Sequence, residues 1–155
     1  FSSRVNRSII QEVLHMKNNE LEIIFKDNQG NNTMLWNNFI KNDEEHFDFD
    51  FKLKLSVFSV KTRLNATIQD IILFKDSLKD ICHSKKGKSC FSPLGEFIKL
   101  DIVFIKNNTL NINGYIADRS IPQSNFSFSY ILNDKDLIDW INELNKVIYD
   151  HFLLK

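Results

Sequence analysis

The amino-acid sequence predicts an α+β domain in which two amphipathic helices cover one face of a single antiparallel β-sheet. Three observations lead to this prediction. Apolar and polar residues alternate one by one over 47–55, as they do along a half-buried strand. Apolar residues recur at helical spacing over 68–81 and again over 137–152. Short polar turns separate several of the remaining apolar stretches, which is typical of neighbouring antiparallel strands.

The chain length and composition bound the architecture and the cellular setting. A chain of 155 residues favours one domain spanning 1–155, with a loosely packed segment over 1–19, where the pattern is weak. The 20 basic and 20 acidic residues balance, which argues against direct binding of nucleic acid. No apolar stretch approaches the ~18 residues that span a bilayer, so we expect no membrane association. Two cysteines are too few for a disulfide-stapled scaffold, and we expect a cytoplasmic location.

The N-terminal half predicts a hairpin, a long strand and a helix. Residues 21–25 alternate as a short strand does, 27–30 have turn chemistry, and 34–40 form the returning strand. The long strand follows, and beyond Val57 its parity breaks, which indicates either a bulge or a covering helix. Thr67 and Asp70 have the spacing of a helix N-cap and its acidic partner. The basic residues and Gly at 83–87 predict the end of this helix.

The C-terminal half predicts three strands and a second helix. Strands are expected at 97–105, 110–116 and 126–132, with a tight hairpin at 106–109. Asn133 or Asp134 is expected to cap the last helix. The apolar stripe of that helix consists of Leu137, Trp140, Ile141, Leu144, Val147, Ile148 and Phe152.

The sequence predicts no catalytic site, no metal site and no cofactor, so we expect that the protein is not an enzyme. Cys82, His83 and Cys90 supply three soft ligands, whereas structural zinc needs four. Asp48 and Asp50 share one strand face about 7 Å apart. Neighbouring lysines at 52 and 54 suit a solvated face better than acid–base catalysis.

One acidic segment stands out from the rest of the chain. Over 43–50 the sequence contains five acids and no lysine or arginine, namely Asp43, Glu44, Glu45, Asp48 and Asp50. This segment is either a solvated loop that leads into a strand or an anionic surface suited to a basic partner protein. Both interpretations remain open from the sequence.

Four consecutive stretches carry a resemblance to a known family: IQDIILFKDSLKDI, KKGKSCFSPLGEFIKLDIVF, LNINGYI and FSFSYILNDKDLIDWINELNKVI. In this order they resemble the WapI-like immunity proteins of polymorphic, contact-delivered bacterial toxin systems. The resemblance covers about two thirds of the chain, from Ile68 onward. It implies a small cytoplasmic protein, made beside its toxin, that binds the C-terminal domain of that toxin. Such binding would occlude the active site or hold it in an inactive shape.

The resemblance and the acidic segment together predict a binding surface. Many toxins of this kind are nucleases with basic clefts, which an acidic surface would fit. We therefore expect the five acids of 43–50 to contact the toxin, with Trp36 and Tyr115 as apolar anchors. The alternative is a non-catalytic domain that binds a small molecule or has a regulatory role, which would need a cavity between sheet and helices.

Overall fold

The computed structural model describes residues 21–93, 95, 97–106, 108–118 and 124–150. Predictions for 1–19 and for Phe152 lie outside these residues. The elements in chain order are β1 (Ile23–Lys26), β2 (Asn32–Lys41), β3 (His46–Lys54), β4 (Ser59–Thr67), α1 (Ile68–Ser84), β5 (Lys88–Phe91), β6 (Ile98–Lys106), β7 (Thr109–Ala117), β8 (Asn125–Asn133), a 3₁₀ turn (Asp134–Asp136) and α2 (Leu137–Ile148).

The eight strands form two antiparallel sheets rather than one. Strands β1 to β4 form the first sheet and β5 to β8 form the second, each in chain order, and a helix follows each sheet. The α+β class is therefore confirmed, and the single sheet of the prediction is replaced by two. The division falls at α1, because a helix of 17 residues separates β4 from β5 where a tight turn would have paired them.

The alternation in β3 is confirmed, and a turn explains the parity break that follows it. Phe47, Phe49 and Phe51 are completely buried, while the acids and Lys52 between them are half-buried. The Leu55 N–H donates to the Phe58 carbonyl at 2.8 Å, which closes a tight turn into β4. The break is thus a hairpin, and neither a bulge nor a covering helix lies there.

Local signals set the ends of α1. The Thr67 hydroxyl accepts from the Asp70 N–H at 3.2 Å, and the Asp70 carboxylate accepts from the Thr67 N–H at 2.9 Å. This reciprocal pair confirms the predicted start. The helix ends at Ser84, and its C-cap residue Lys85 has a left-handed φ of 59° and donates its N–H to the Ile81 carbonyl. The predicted Gly stop lies two residues further on, at Gly87.

The second helix keeps its predicted apolar stripe but starts differently. Leu137, Trp140, Ile141, Leu144, Val147 and Ile148 are all buried. The 3₁₀ turn of 134–136 leads into this helix, and neither Asn133 nor Asp136 makes a side-chain cap bond. The start of α2 is thus set by the 3₁₀ turn and by burial of the apolar stripe.

Aromatic rings join the two halves of the molecule in one filled core. The ring of Trp36 in the first sheet lies 4.9 Å from that of Phe91 in the second. Phe25 lies 4.8 Å from Trp140 on α2, and Phe74 on α1 lies 5.3 Å from Phe91. These contacts occupy the space between sheets and helices, so the sheet faces that remain for partners point away from the core.

Candidate functional site

The predicted acidic residues lie together at one end of the first sheet, and we call Asp43, Glu44, Glu45, Asp48 and Asp50 the acidic site. Residues 42–45 connect β2 to β3, and the Asn42 N–H donates to the His46 carbonyl at 2.9 Å. Glu44 and Glu45 are exposed on this loop. The carbonyl of Glu45 accepts from the Ile68 N–H at 2.8 Å, which ties the loop to the start of α1.

Asp43 holds the conformation of the loop. Its Oδ1 accepts from the backbone N–H groups of Glu45 and His46, at 2.8 Å each. His46 Nδ1 lies 3.0 Å from the same oxygen. The Glu45 N–H, the His46 ring and the His46 N–H lower the pKa of Asp43 to about 2. The carboxylate thus stays ionised and bonded at all physiological pH values.

Asp48 and Asp50 belong to a polar network on the outer face of the sheet. Arg63 Nη1 donates to Asp50 at 2.8 Å, and its Nε lies 3.9 Å from Asp48. Asn38 donates to Asp50 and Asn65 donates to Asp48, each at 2.7 Å. The Asn38 bond and the Arg63 bond lower the pKa of Asp50. Both carboxylates are therefore partly neutralised and held in place.

Asn38 reaches Asp50 because the β2–β3 register shifts beside it. The pairs on either side of the irregularity are Asn37 with Asp50 and Ile40 with Asp48. Asn38 itself has a left-handed φ of 54°, a conformation that Asn tolerates better than most residues. The irregularity thus turns the Asn38 amide toward the acidic site.

The two predicted aromatic anchors do not lie at the acidic site. Trp36 is 0 % exposed and packs among Phe25, Phe49 and Phe91 in the core, so it is not part of any surface. Its position alternates in phase with Met34 on the predicted strand, which is a signal for burial. Tyr115 is 37 % exposed, on the outer face of the second sheet.

Lys52 and Lys54, which the sequence places on one strand face, form a cluster with a third lysine from the next strand. Lys52 pairs with Lys61 directly across the β3–β4 ladder, and Lys54 follows on the same face. We call these three residues the lysine row. Across the part of the chain that the structure describes, none of them has a carboxylate within ion-pair distance. The outer face of the first sheet is therefore negative toward the 42–45 loop and positive toward the 55–58 turn.

A groove lies beside the edge of β4. It has a volume of about 620 Å³, and residues 60–64 form one wall. The opposite wall comes from the second sheet and includes Phe97, Ile116 and Phe126. We call it the β4 groove. It is open, and both apolar and polar side chains line it.

The described residues include two cysteines and no cluster of metal ligands. Among them no group of three potential metal ligands converges, and no helix is long and apolar enough to cross a membrane. Cys82 and Cys90 are both free thiols. Partial burial and the neighbouring Asp101 carboxylate raise the pKa of Cys90, which disfavours its thiolate form. This thiol is therefore not activated as a nucleophile.

Comparison with known proteins gives no family assignment. No protein-family model matches the chain, and no curated protein matches its sequence. A solved structure described as trypanosoma bruciei MRP1/MRP2 is similar at 8% identity with a TM-score of 0.49, over 92% of this chain and 93% of that chain. No functional inference follows from a likeness at this level.

Proposed function

We propose that this chain is an immunity protein that binds the C-terminal toxin domain of a cognate bacterial toxin and occludes its active site. The observation that carries the proposal is the rigid presentation of the acidic site. The Asp43 carboxylate already fixes the loop through two backbone bonds of 2.8 Å. A partner would thus meet the carboxylates of Glu44 and Glu45 on an ordered loop, with little ordering entropy to lose.

The charges of the acidic site suit a basic cleft. Five carboxylates stand against Lys41 and Arg63, so this end of the sheet is net negative. Such a field increases the association rate of a basic partner and competes with the phosphates that it normally binds. Arg63 and the two asparagines already interact with Asp48 and Asp50, so these two carboxylates contribute to the negative potential of the surface and hold a fixed position. Glu44 and Glu45 supply the direct contacts.

The ion pair between Lys41 and Glu44 does not block such contacts. Its nitrogen and oxygen are 3.8 Å apart, and the Glu44 side chain is 76% exposed. An ion pair this long, with its carboxylate largely in water, contributes ~0–1 kcal/mol. A partner arginine or lysine can displace Lys41 at small cost.

The binding probe is the C-terminal domain of the protein that the neighbouring gene encodes. Calorimetry should give a submicromolar Kd for the wild-type chain. The double variant Glu44→Lys/Glu45→Lys should bind at least about tenfold more weakly, mainly because association slows. Raised salt should weaken the wild-type complex and have less effect on the variant.

A matched control separates the acidic site from general charge. The variant Asp76→Lys/Asp80→Lys makes the same charge change on the exposed side of α1 and should bind as the wild type does. Equal affinity of the wild type and the Glu44/Glu45 variant would refute the proposed surface. Absence of any complex with the neighbouring domain would refute the proposed function.

The β4 groove favours one second candidate, a non-catalytic small-molecule-binding domain. Its volume of about 620 Å³ lies within the ~300–1,000 Å³ that ligand sites occupy. This candidate predicts that a metabolite raises the Tm of the wild type and does not raise that of a Phe126→Ala variant. A screen in which every stabilising compound acts equally on both proteins would exclude the groove as the ligand site.

A further inference from the structure

Strand β4 is the edge of its sheet, and half of its backbone groups point away from that sheet. In an antiparallel ladder, pairs that exchange backbone hydrogen bonds alternate with pairs that do not. The Leu55 N–H bonds to the Phe58 carbonyl and the Ile68 N–H bonds to the Glu45 carbonyl, each at 2.8 Å. Both bonded pairs extend the β3–β4 register, one at each end of β4. They therefore show which pairs of the ladder exchange hydrogen bonds and which do not. The outward groups belong to Ser59, Lys61, Arg63, Asn65 and Thr67.

One of these outward groups is already bonded, which supports the assignment. The Thr67 N–H donates away from β3 to the Asp70 carboxylate at 2.9 Å. The backbone groups of Ser59, Lys61, Arg63 and Asn65 have no comparable partner within the described parts of the chain. Four residues of the β4 edge therefore present free donors and acceptors in the spacing of a strand.

The side chains of β4 determine what an added strand would carry on each face. On the outer face, Lys61 stands opposite Lys52, and like charges in that position repel. Lysines on an edge strand normally discourage pairing with other chains. An acidic side chain placed beside Lys61 would reverse that effect. Arg63 has less need of an acidic neighbour on the added strand, because Asp50 already accepts a hydrogen bond from it at 2.8 Å.

The inner face of an added strand would meet the β4 groove. Leu64 is buried and Val60 half-buried at its first wall, and Phe126 lies in the opposite wall. The ring of Phe126 also contacts that of Phe58 at 5.7 Å, at the turn that precedes β4. Apolar side chains at alternate positions of an added strand would fill this space.

We infer that the β4 edge is a strand-addition site for an extended segment of another protein, with apolar side chains toward the groove and acidic side chains beside the lysine row. The free backbone groups supply affinity, and the two faces supply selectivity. The inference concerns a different part of the sheet from the 42–45 loop and does not depend on the proposed function.

A labelled peptide that alternates glutamate and valine, Glu-Val-Glu-Val-Glu-Val-Glu, is the binding probe. Fluorescence anisotropy should show saturable binding to the wild-type chain. The same peptide with lysine in place of glutamate should bind at least about tenfold more weakly, because it places like charges beside Lys61. Equal binding of the two peptides would overturn the inference.

A proline at the edge tests the backbone contribution. Lys61→Pro removes an outward N–H without removing a bond to β3. It should bind the peptide about tenfold more weakly than Lys61→Gln, which loses the same charge and keeps the N–H. The matched control is Lys88→Pro on β5. There the Phe104 N–H bonds to the Gly87 carbonyl at 3.1 Å, so the Lys88 N–H also points outward. The Lys88 variant should bind the peptide as the wild type does, and equal binding by Lys61→Pro and Lys61→Gln would overturn the inference.

Amide hydrogen exchange on the wild-type chain keeps the test decisive where Lys61→Pro fails to fold. Addition of the glutamate–valine peptide should slow exchange at Lys61 and Arg63. Unchanged exchange at both amides would overturn the inference. Protection that needs no peptide and rises with protein concentration would assign the edge to a second copy of this chain, and would overturn it as well.

Discussion

Gly114 on β7 lies directly beneath the aromatic ring of its register partner, Phe128 on β8. A Cβ at position 114 would overlap the ring carbons of Phe128. Gly114 thus serves close packing rather than backbone conformation. Phe128 in turn stacks near Tyr130, at 6.3 Å between ring centroids. The second sheet depends on this small residue to seat a row of aromatic rings.

Gly114→Ala should therefore destabilise the fold by about 1–3 kcal/mol, the usual cost of overpacking a filled site. Urea denaturation measures the change. A Phe128→Leu substitution in the Gly114→Ala background should recover part of the loss, because it removes the obstructing ring. A Gly114→Ala variant as stable as the wild type would contradict this account.

Thr67→Ala should cost about 1 kcal/mol, since it removes the hydroxyl that caps α1 and leaves the Asp70 N–H without its acceptor. Thr67→Ser keeps that hydroxyl and should stay within a few tenths of a kcal/mol of the wild type. Denaturant midpoints of the three proteins check the prediction. Equal losses in the two variants would show that the methyl group, and not the hydroxyl, matters.

The lowered pKa of Asp43 predicts that the fold loses stability in acid. Its pKa is lowered from 3.8 to about 2 in the folded chain, so the ionised form is the one that the fold stabilises. That stabilisation is complete above the unfolded pKa, shrinks below pH 3.8 and is gone below about pH 2. Asp43→Asn, which has no charge to lose, should show a shallower fall in stability over this window.

Carbon-detected NMR of the Asp43 carboxyl group measures its pKa directly. A value near the ordinary 3.8 would contradict the loop geometry described above. Replacement of the ring by His46→Ala tests one cause separately. It should raise the pKa of Asp43 only partly, because the bond from the Glu45 N–H persists.

The elements that were predicted correctly are those that a short stretch of sequence specifies by itself. The alternation of β3 specifies which side chains are buried without reference to any other strand. The Thr67 and Asp70 pair likewise specifies a helix start within four residues. The division into two sheets depends instead on which strand becomes an edge. β5 is only KSCF, has no pattern of its own, and is not joined to its partner β6 by a recognisable tight turn.

The candidate surfaces were predictable only where one strand carries them. The acidic site lies on a single stretch of chain, so its residues could be named from the sequence. The lysine row requires the β3–β4 register, which depends on recognising residues 55–58 as a tight turn. Ser56 and Val57 lack the glycine-containing signature of a two-residue hairpin, so the pairing of Lys52 with Lys61 was not evident. Trp36 was predicted as a surface anchor in preference to Trp140, which lies on an apolar helical stripe, although its in-phase neighbour Met34 favours burial.

The pairing of Lys52 with Lys61 leads to the last prediction, in which stability and binding move in opposite directions. Lys61→Glu replaces a repulsive cross-strand pair with an attractive one and should stabilise the fold by ~0.2–1 kcal/mol, an effect that salt reduces. The same change places an acid beside the acidic face of any added strand, so the glutamate–valine peptide should bind at least about tenfold more weakly. Urea denaturation and fluorescence anisotropy measure the two effects on one sample. Lys61→Gln, which removes the charge without reversing it, should fall between the wild type and Lys61→Glu in both measurements. Tighter peptide binding by Lys61→Glu would contradict the inferred role of Lys61 at the β4 edge. Unchanged or lower stability would contradict the repulsion between Lys52 and Lys61.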